Sequence, residues 1–275
     1  MKISILGYGV FGSAMGFHLN NLGHVIYEEE VRDSELILVA VPSYAVREVL
    51  SKFKDEILNQ NIIICSKGFS EEGELLSVVL GREFPNNKVF FLYGPTLAEG
   101  IMKGEFSGMV LAGGQGKEEL KKEIESDNMY IELSDDVVGV QVGATFKNAV
   151  GIWIGLVEGA SCGKNTEAFV YAKGLMEIRK LGVSLGANPD TFLGLTGAGD
   201  LYLRSRSRML GVEIGKGRDF EEVAKEMVYP KEGIATLRNI SNIIRHTGVD
   251  LSFFQLAYDV VFNNMKVMDA IKKIK

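Results

Sequence analysis

Residues 2–15 read KISILGYGVFGSAM: a short strand-like run that breaks into glycines at 7, 9 and 12 and then into a helix-forming segment. Residues 2–6 are expected to be a buried strand. Residues 13–22 carry helical spacing through Ala14, Phe17, Leu19 and Leu22, Gly23 ends that helix, and His24–Tyr27 forms a second strand. A GxGxxG alone is common in a glycine-rich chain. Between a strand and a helix it has a mechanism: the glycines let the backbone approach a pyrophosphate, and the helix N-terminus offers free N–H groups and the positive end of its dipole. Gly7, Gly9, Val10, Phe11 and Gly12 are therefore candidate cofactor contacts. Glu28 lies 21 positions after Gly7, where a carboxylate can accept hydrogen bonds from an adenosine ribose; it favours NAD slightly over NADP, because a 2′-phosphate would meet like charge. Glu29 and Glu30 follow it, so an acidic, solvated turn is the competing explanation. Only residues 28–35 separate the second strand from the next, too few for the usual crossover helix.

Outward from this motif the alternation continues. Strands are expected at Leu36–Val41, Asn61–Ser66, Val89–Tyr93, Gly108–Ala112 and Met129–Leu133, with helices at Tyr44–Phe53, 71–80 and Gly116–Asp127. Strands alternating with helices imply a mostly parallel sheet covered on both faces. After residue 134 the pattern turns helical: Asp136–Gly159, Glu167–Leu181, Glu213–Gly215, Phe220–Met227, Ile234–His246 and Ser252–Lys275. The fold class expected is an α/β, Rossmann-type N-terminal domain (1–134, dinucleotide-binding) followed by an all-α domain (135–275, substrate and catalysis). In the first long helix Gly151, Gly155 and Gly159 recur every fourth residue. With Lys147 and Glu158 in the helix and its apolar run read as too short to cross a membrane, this stripe points to close packing in a protein core.

Composition narrows the function classes. The chain has 275 residues, 46% hydrophobic and 24% charged, with 30 basic against 36 acidic side chains for a net charge of −6. That balance argues against a general nucleic-acid or anionic-membrane binder. Thirty-two glycines and five prolines punctuate periodic segments instead of forming polar tracts, which disfavours disorder. Cys65 and Cys162 make no disulfide framework, and His18, His24 and His246 are too scattered for a metal site. The apolar start is interrupted by glycines, so no signal peptide is expected, and neither is a membrane span. A cytoplasmic protein without a structural metal is the expectation.

Some residues carry chemistry. Lys67 follows a parallel strand at its carboxyl end, the edge where open α/β sheets bind ligands. Lys147-Asn148 interrupts an apolar helix face formed by Val142, Phe146, Val150 and Ile154; a charge there is costly unless it meets a polar cleft or a partner. Lys147 is thus a candidate proton donor, its pKa lowered by burial and a second cation. A second glycine cluster, GLTGAGD at 194–200, closes on Asp200. Arg204, Arg206 and Arg208 alternate with Ser205 and Ser207 just after it, a pattern suited to an anion such as phosphate. Gly94-Pro95-Thr96 ends another strand and can add backbone N–H groups to the same cleft.

Taken in order, GYGVFGSAM (7–15), VAVPS (39–43), SKG (66–68), GPTLAEG (94–100), GATFKNAVGI (143–152), GLTGAGDL (194–201), SRM (207–209) and EGIATL (232–237) resemble the bacterial-type NAD(P)-dependent glycerol-3-phosphate dehydrogenases over nearly the whole chain. The resemblance implies an oxidoreductase that interconverts dihydroxyacetone phosphate and sn-glycerol 3-phosphate, supplies phospholipid synthesis and works as a cytoplasmic homodimer. It implies that Lys147 is the proton donor/acceptor, with Asp200 orienting it or the substrate hydroxyl. Lys67, Gly94, Thr96, Asn148, Ser207 and Arg208 would face the substrate, and Ala98 and Glu232 the cofactor. Three departures stand out: a shortened segment before VAVPS, a shortened stretch from Asp200 to Ser207, and Met209 where the family's SRN motif has asparagine. A ketopantoate-reductase-like enzyme on the same scaffold, or a non-catalytic dinucleotide-binding redox sensor, are the alternatives.

Overall fold

The computed structural model describes residues 1–31, 33–203, 206–227 and 231–274. Among them, seven strands form one sheet: Lys2–Leu6 (β1), Val25–Glu28 (β2), Leu36–Val39 (β3), Asn61–Ile64 (β4), Val89–Tyr93 (β5), Ser107–Ala112 (β6) and Met129–Ser134 (β7). Their order is β2-β1-β3-β4-β5-β6-β7, every neighbouring pair being parallel except β5–β6. The helices of this half are Val10–Asn21 (α1), Val46–Lys52 (α2), Leu76–Glu83 (α3), Ala98–Met102 (α4) and Lys117–Ile124 (α5). Beyond β7 follow Val137–Gly159 (α6), Lys164–Ser184 (α7), Asp200–Tyr202 (α8), Arg206–Gly215 (α9), Phe220–Glu226 (α10), Lys231–Arg238 (α11), Ile240–Thr247 (α12), Ser252–Phe262 (α13) and Val267–Lys273 (α14). The mostly parallel α/β fold with a helical second half is thus as the sequence suggested.

The strands alternate their side chains between two covered faces. Ile3 and Ile5, Leu36 and Leu38, Phe90 and Leu92 pack with Ala14, Met15 and Leu19 of α1. The intervening Leu6, Ile37, Val39, Phe91 and Tyr93 pack with Val46 and Leu50 of α2 and Leu76 and Leu80 of α3. This period-two division is what a sheet buried on both sides requires. Among its described residues, the short link from β2 to β3 carries no helix. Instead the fully buried Val31 plugs the second face beside Leu6 and Val39, so one side chain does the covering that a crossover helix normally does.

Helix α6 is the axis of the second half. Asp136 caps it by accepting from Gly139 N at 2.8 Å, and the same carboxylate accepts from Asn188 N and the Thr191 hydroxyl. Its glycines let α9 approach closely: a Cβ on Gly155 would lie 2.1 Å from the Arg208 carbonyl, and one on Gly159 2.1 Å from that of Val212. At 23 residues, α6 is long and apolar enough to cross a membrane by length and composition, contrary to the expectation of too short a run. Its most apolar stretch is 83% buried inside the protein, which accounts for that hydropathy. Two expected long helices are broken. Ile234–His246 divides at Asn239, whose amide donates to the Ser70 carbonyl at 2.7 Å. Ser252–Lys275 divides after Phe262, where Asn264 has a φ of 55°. The expected helix at Glu213–Gly215 begins earlier, at Arg206.

Candidate active site

Because β1, β3, β4 and β5 run in the same sense, their carboxyl ends bring four loops to one edge in the order Gly7–Gly12, Val41–Ser43, Lys67 and Gly94. Three strand spacings, roughly 14 Å, separate the first loop from the last. Gly7 has a φ of +97° and lies so close to Ala40 and Val41 that a Cβ would meet their backbone at 2.6 and 2.7 Å. Gly12 is needed for a similar reason, since its Cβ would sit 2.1 Å from the Gly7 carbonyl. Gly9 faces open space, and no side chain caps α1. The loop therefore fits a dinucleotide pyrophosphate: a smooth backbone and uncapped N–H groups at a helix N-terminus. Phe11 and Ala98 lean on the same core from α1 and α4, and Val10 is largely exposed at the helix start.

The carboxylate that reaches this loop is Glu29, the residue after the candidate ribose contact Glu28. Its Oε1 accepts from Gly7 N at 3.1 Å and Tyr8 N at 2.7 Å. Glu29 adopts a φ of 57°, which turns its side chain back over β1. Glu28 instead accepts from the Tyr8 hydroxyl, and burial together with that carboxylate raises the phenol's pKa. Three consecutive glutamates gave no way to tell which would face the loop; the turn at the end of β2 decides it.

The chemical cluster lies further along the edge. Asp200 is fully buried and its two oxygens are divided between two lysines: Oδ2 accepts from Lys67 Nζ at 2.7 Å, and Oδ1 from Lys147 Nζ. Lys67 also donates to the Gly94 carbonyl at 3.3 Å. Lys147 is only 9% exposed. Burial, and then the neighbouring Lys67 ammonium, bring it down to about 8, against the opposing pull of Asp200 and Glu232. The local sequence makes this meeting possible. Residues Leu195–Gly199 form a π-helical turn running directly into Asp200, and a Cβ on Gly143 would lie 2.5 Å from the Thr196 carbonyl. Single π turns recur at functional sites because they re-aim the residue that follows.

Around this cluster sit further polar groups. Asn148 is buried on the next position of α6, where a Cβ on Gly233 would lie 3.1 Å from its own Cβ, and Glu232 is near enough to act on Lys147. Thr96 closes a turn on the Gly94 carbonyl at 2.9 Å. Ser207 is wholly buried, with a hydroxyl that has no hydrogen-bond partner among the described residues. A cavity of about 640 Å³ is lined by Ser43, Gly68, Thr145, Thr236 and Asn239, with neither Lys67 nor Lys147 in its wall. Arg208 is not brought to the cluster: its guanidinium is bound by Glu158 and Glu167. Arg206 is exposed at the start of α9, Met209 is about half exposed, and Arg204 and Ser205 lie outside the described residues.

The sequence signature of the NAD-dependent glycerol-3-phosphate dehydrogenase N-terminus matches residues 25–119, and that of the same enzymes' C-terminus matches residues 136–272. A glycerol-3-phosphate dehydrogenase [NAD(P)+] of Thermoanaerobacter sp. (strain X514) is 32% identical over 317 aligned positions, covering 98% of this chain and 96% of that protein. The alignment is longer than this 275-residue chain, so the chain is compact by internal gaps. Among solved structures, a glycerol-3-phosphate dehydrogenase from Coxiella burnetii superposes with a TM-score of 0.91 at 22% identity, covering 99% of this chain and 98% of that one. A ketopantoate reductase from Ralstonia eutropha shares the fold less closely, with a TM-score of 0.63 at 14% identity over 99% of both chains. With both halves matched in sequence and a relative aligned end to end, this chain belongs to the NAD(P)-dependent glycerol-3-phosphate dehydrogenases, an oxidoreductase family.

Proposed function

We propose that the chain catalyses dihydroxyacetone phosphate + NAD(P)H + H⁺ ⇌ sn-glycerol 3-phosphate + NAD(P)⁺, with Lys147 as the proton donor and acceptor. The observation that carries this is the buried Lys147–Asp200–Lys67 triad at the carboxyl edge of the sheet. The nicotinamide, when bound, supplies the hydride. The protein supplies position, charge and the proton. An ammonium titrating near 8 is mostly protonated at neutral pH yet gives up its proton more readily than an ordinary lysine, which suits an acid for an alkoxide. Asp200 holds that ammonium in place, and Lys67 adds a second positive charge where negative charge develops on oxygen. Gly94, Thr96, Asn148 and Ser207 border the substrate in this scheme; Arg208, held by Glu158 and Glu167, does not face it.

The cofactor end is formed by Gly7, Gly9, Val10, Phe11 and Gly12, with Ala98 and Glu232 nearer the nicotinamide. Glu29, with Glu28 beside it, favours NADH, because a 2′-phosphate would meet two carboxylates. Residues 1–134 act as the dinucleotide-binding domain and 135–275 as the substrate domain. Membership of the family supports a homodimeric, cytoplasmic enzyme that supplies phospholipid synthesis, with sedimentation the direct check on the dimer. The central test is Lys147→Ala. Turnover should fall roughly 10²–10⁴-fold, the usual share of a positioned general acid, while NADH binding survives. A folded, NADH-binding variant with near-normal kcat would remove Lys147 from the mechanism.

A further inference from the structure

Tyr93 is the last residue of β5, and its hydroxyl donates to the Ser66 carbonyl at 2.7 Å. That carbonyl belongs to the peptide group leading into Lys67. The ladder between β4 and β5 ends with Ile64 opposite Phe91. Beyond it β5 continues beside β6, with Tyr93 opposite Val110, and the tyrosine side chain supplies the next link back to the β4 chain. One residue further on, the Gly94 carbonyl accepts from Lys67 Nζ at 3.3 Å. Two consecutive residues at the end of β5 therefore hold Lys67 at both ends, by its leading peptide and by its ammonium. After Lys67, Gly68 lies so close to Ser43 that a Cβ would meet the serine hydroxyl at 2.1 Å.

Holding a carbonyl fixes the rotation of its whole planar peptide. A lysine carries its charge on a flexible four-carbon stem, so the charge is placed only as well as the backbone beneath it. Tyr93 is suited to hold that backbone. Burial pushes its pKa well above the ordinary phenol value, so the hydroxyl stays a donor. Its ring lies against Phe91, with centroids 6.1 Å apart, in the core that contains Val140 and Ala144 of α6. We propose that the Tyr93 hydroxyl is the positioning group for Lys67, fixing the peptide before it so that the ammonium falls on Asp200 and Gly94. At 1% exposure, Tyr93 acts through Lys67 and not on a substrate. Without the hydroxyl, the Ser66 carbonyl loses this donor and its peptide is drawn toward another partner. Lys67 then loosens from Asp200 and bears less closely on Lys147. This inference rests on Lys67 serving the proposed reaction.

The test uses Tyr93→Phe, which keeps the ring and its packing, alone and combined with Lys67→Ala. Melting temperature and NADH affinity establish that each variant is folded. Tyr93→Phe should lower kcat/KM for dihydroxyacetone phosphate about tenfold, equivalent to about 1.4 kcal/mol. Lys147 is acted on by Lys67, Asp200 and Glu232, and of these only Lys67 lowers its pKa. The alkaline break in kcat/KM near 8 should therefore move up in Tyr93→Phe. In the Lys67→Ala background, adding Tyr93→Phe should change kcat/KM by less than about twofold, because both changes remove one interaction. Unchanged kcat/KM in Tyr93→Phe would show that the hydroxyl positions nothing. A loss with no upward move of the break, or one undiminished in the Lys67→Ala background, is what a merely structural role gives and equally overturns the proposal. If Lys67→Ala alone keeps wild-type kcat/KM, the part given to Lys67 in the reaction falls, and this inference with it.

Discussion

Replacing Asp200 by asparagine removes the one negative charge shared by two buried ammonium groups. Lys67 and Lys147 sit on opposite oxygens of that carboxylate, which puts their nitrogens on the order of 5 Å apart by ordinary hydrogen-bond geometry. The Lys67 repulsion already acts on Lys147 in the wild type. Asparagine removes the opposing attraction of a carboxylate at hydrogen-bond range, about 4 kcal/mol at an effective dielectric constant near 20, or roughly 3 pK units if undiminished. Some water will enter, so a fall of roughly 1–2 units for Lys147 from its value of about 8 is the expectation. Ketone reduction needs Lys147 protonated. The wild-type profile of kcat/KM should therefore be level below about 8 and fall tenfold per pH unit above it. In Asp200→Asn the break should move to lower pH, and much of the rate lost at neutral pH should return on acidification. Breaking a buried ion cluster costs about 3–5 kcal/mol, so the profile must be taken at a temperature where the variant still binds NADH. A break that stays near 8, or a loss equal at every pH, would refute the electrostatic role given to Asp200.

Two further outcomes are expected. Glu29→Gln should reduce the NADH-over-NADPH ratio of kcat/KM by about tenfold, about 1.4 kcal/mol, and an unchanged ratio would place the ribose away from this carboxylate. Glu177 accepts from the N–H groups of Phe253 and Phe254 at the start of α13, and burial raises its pKa from 4.5 to about 7. A raised carboxyl pKa means that the folded state holds the proton more tightly, so this stabilisation is full below 4.5 and is lost as pH rises through about 7. The wild type should accordingly lose more unfolding free energy between pH 4.5 and 8 than Glu177→Gln does, by on the order of 1–2 kcal/mol after allowing for solvent screening, read as a larger fall in melting temperature. Parallel curves for the two proteins would show that Glu177 does not carry the slope.

What could be read in advance followed from local chemistry. The glycine loop was legible because Gly7 and Gly12 answer to backbone positions that no other residue fits. Lys147 was legible because a lone charge on an apolar helix face demands a partner. The identity of that partner's geometry was less so: Asp200 is 53 residues away, and only the π turn before it fixes where its oxygens point. Arg208 shows the limit. A run of arginines announces an anion, but the carboxylates that hold this one come from α6 and α7, at sequence distances of 50 and 41. Glu28 and Glu29 are chemically identical, so only the backbone turn distinguishes them. The short connection before β3 was visible as a missing helix, whereas its filling by Val31 depended on the shape of the face left bare.

Helix α6 has one more consequence. Val140 and Ala144, near its start, belong to the core beneath the sheet. Leu156 and Val157, near its end, belong to the helical core. A single uninterrupted helix of 23 residues, about 34 Å long, is therefore rooted in both hydrophobic cores, and Lys147 stands between the two anchorages. Rotating one half against the other about the chain crossing near residue 135 would tear α6 out of one core or bend it at a well-packed point. A movement that keeps both cores packed leaves this rod undisturbed. Lys147 is thereby held at one distance from the sheet edge for as long as both cores stay packed.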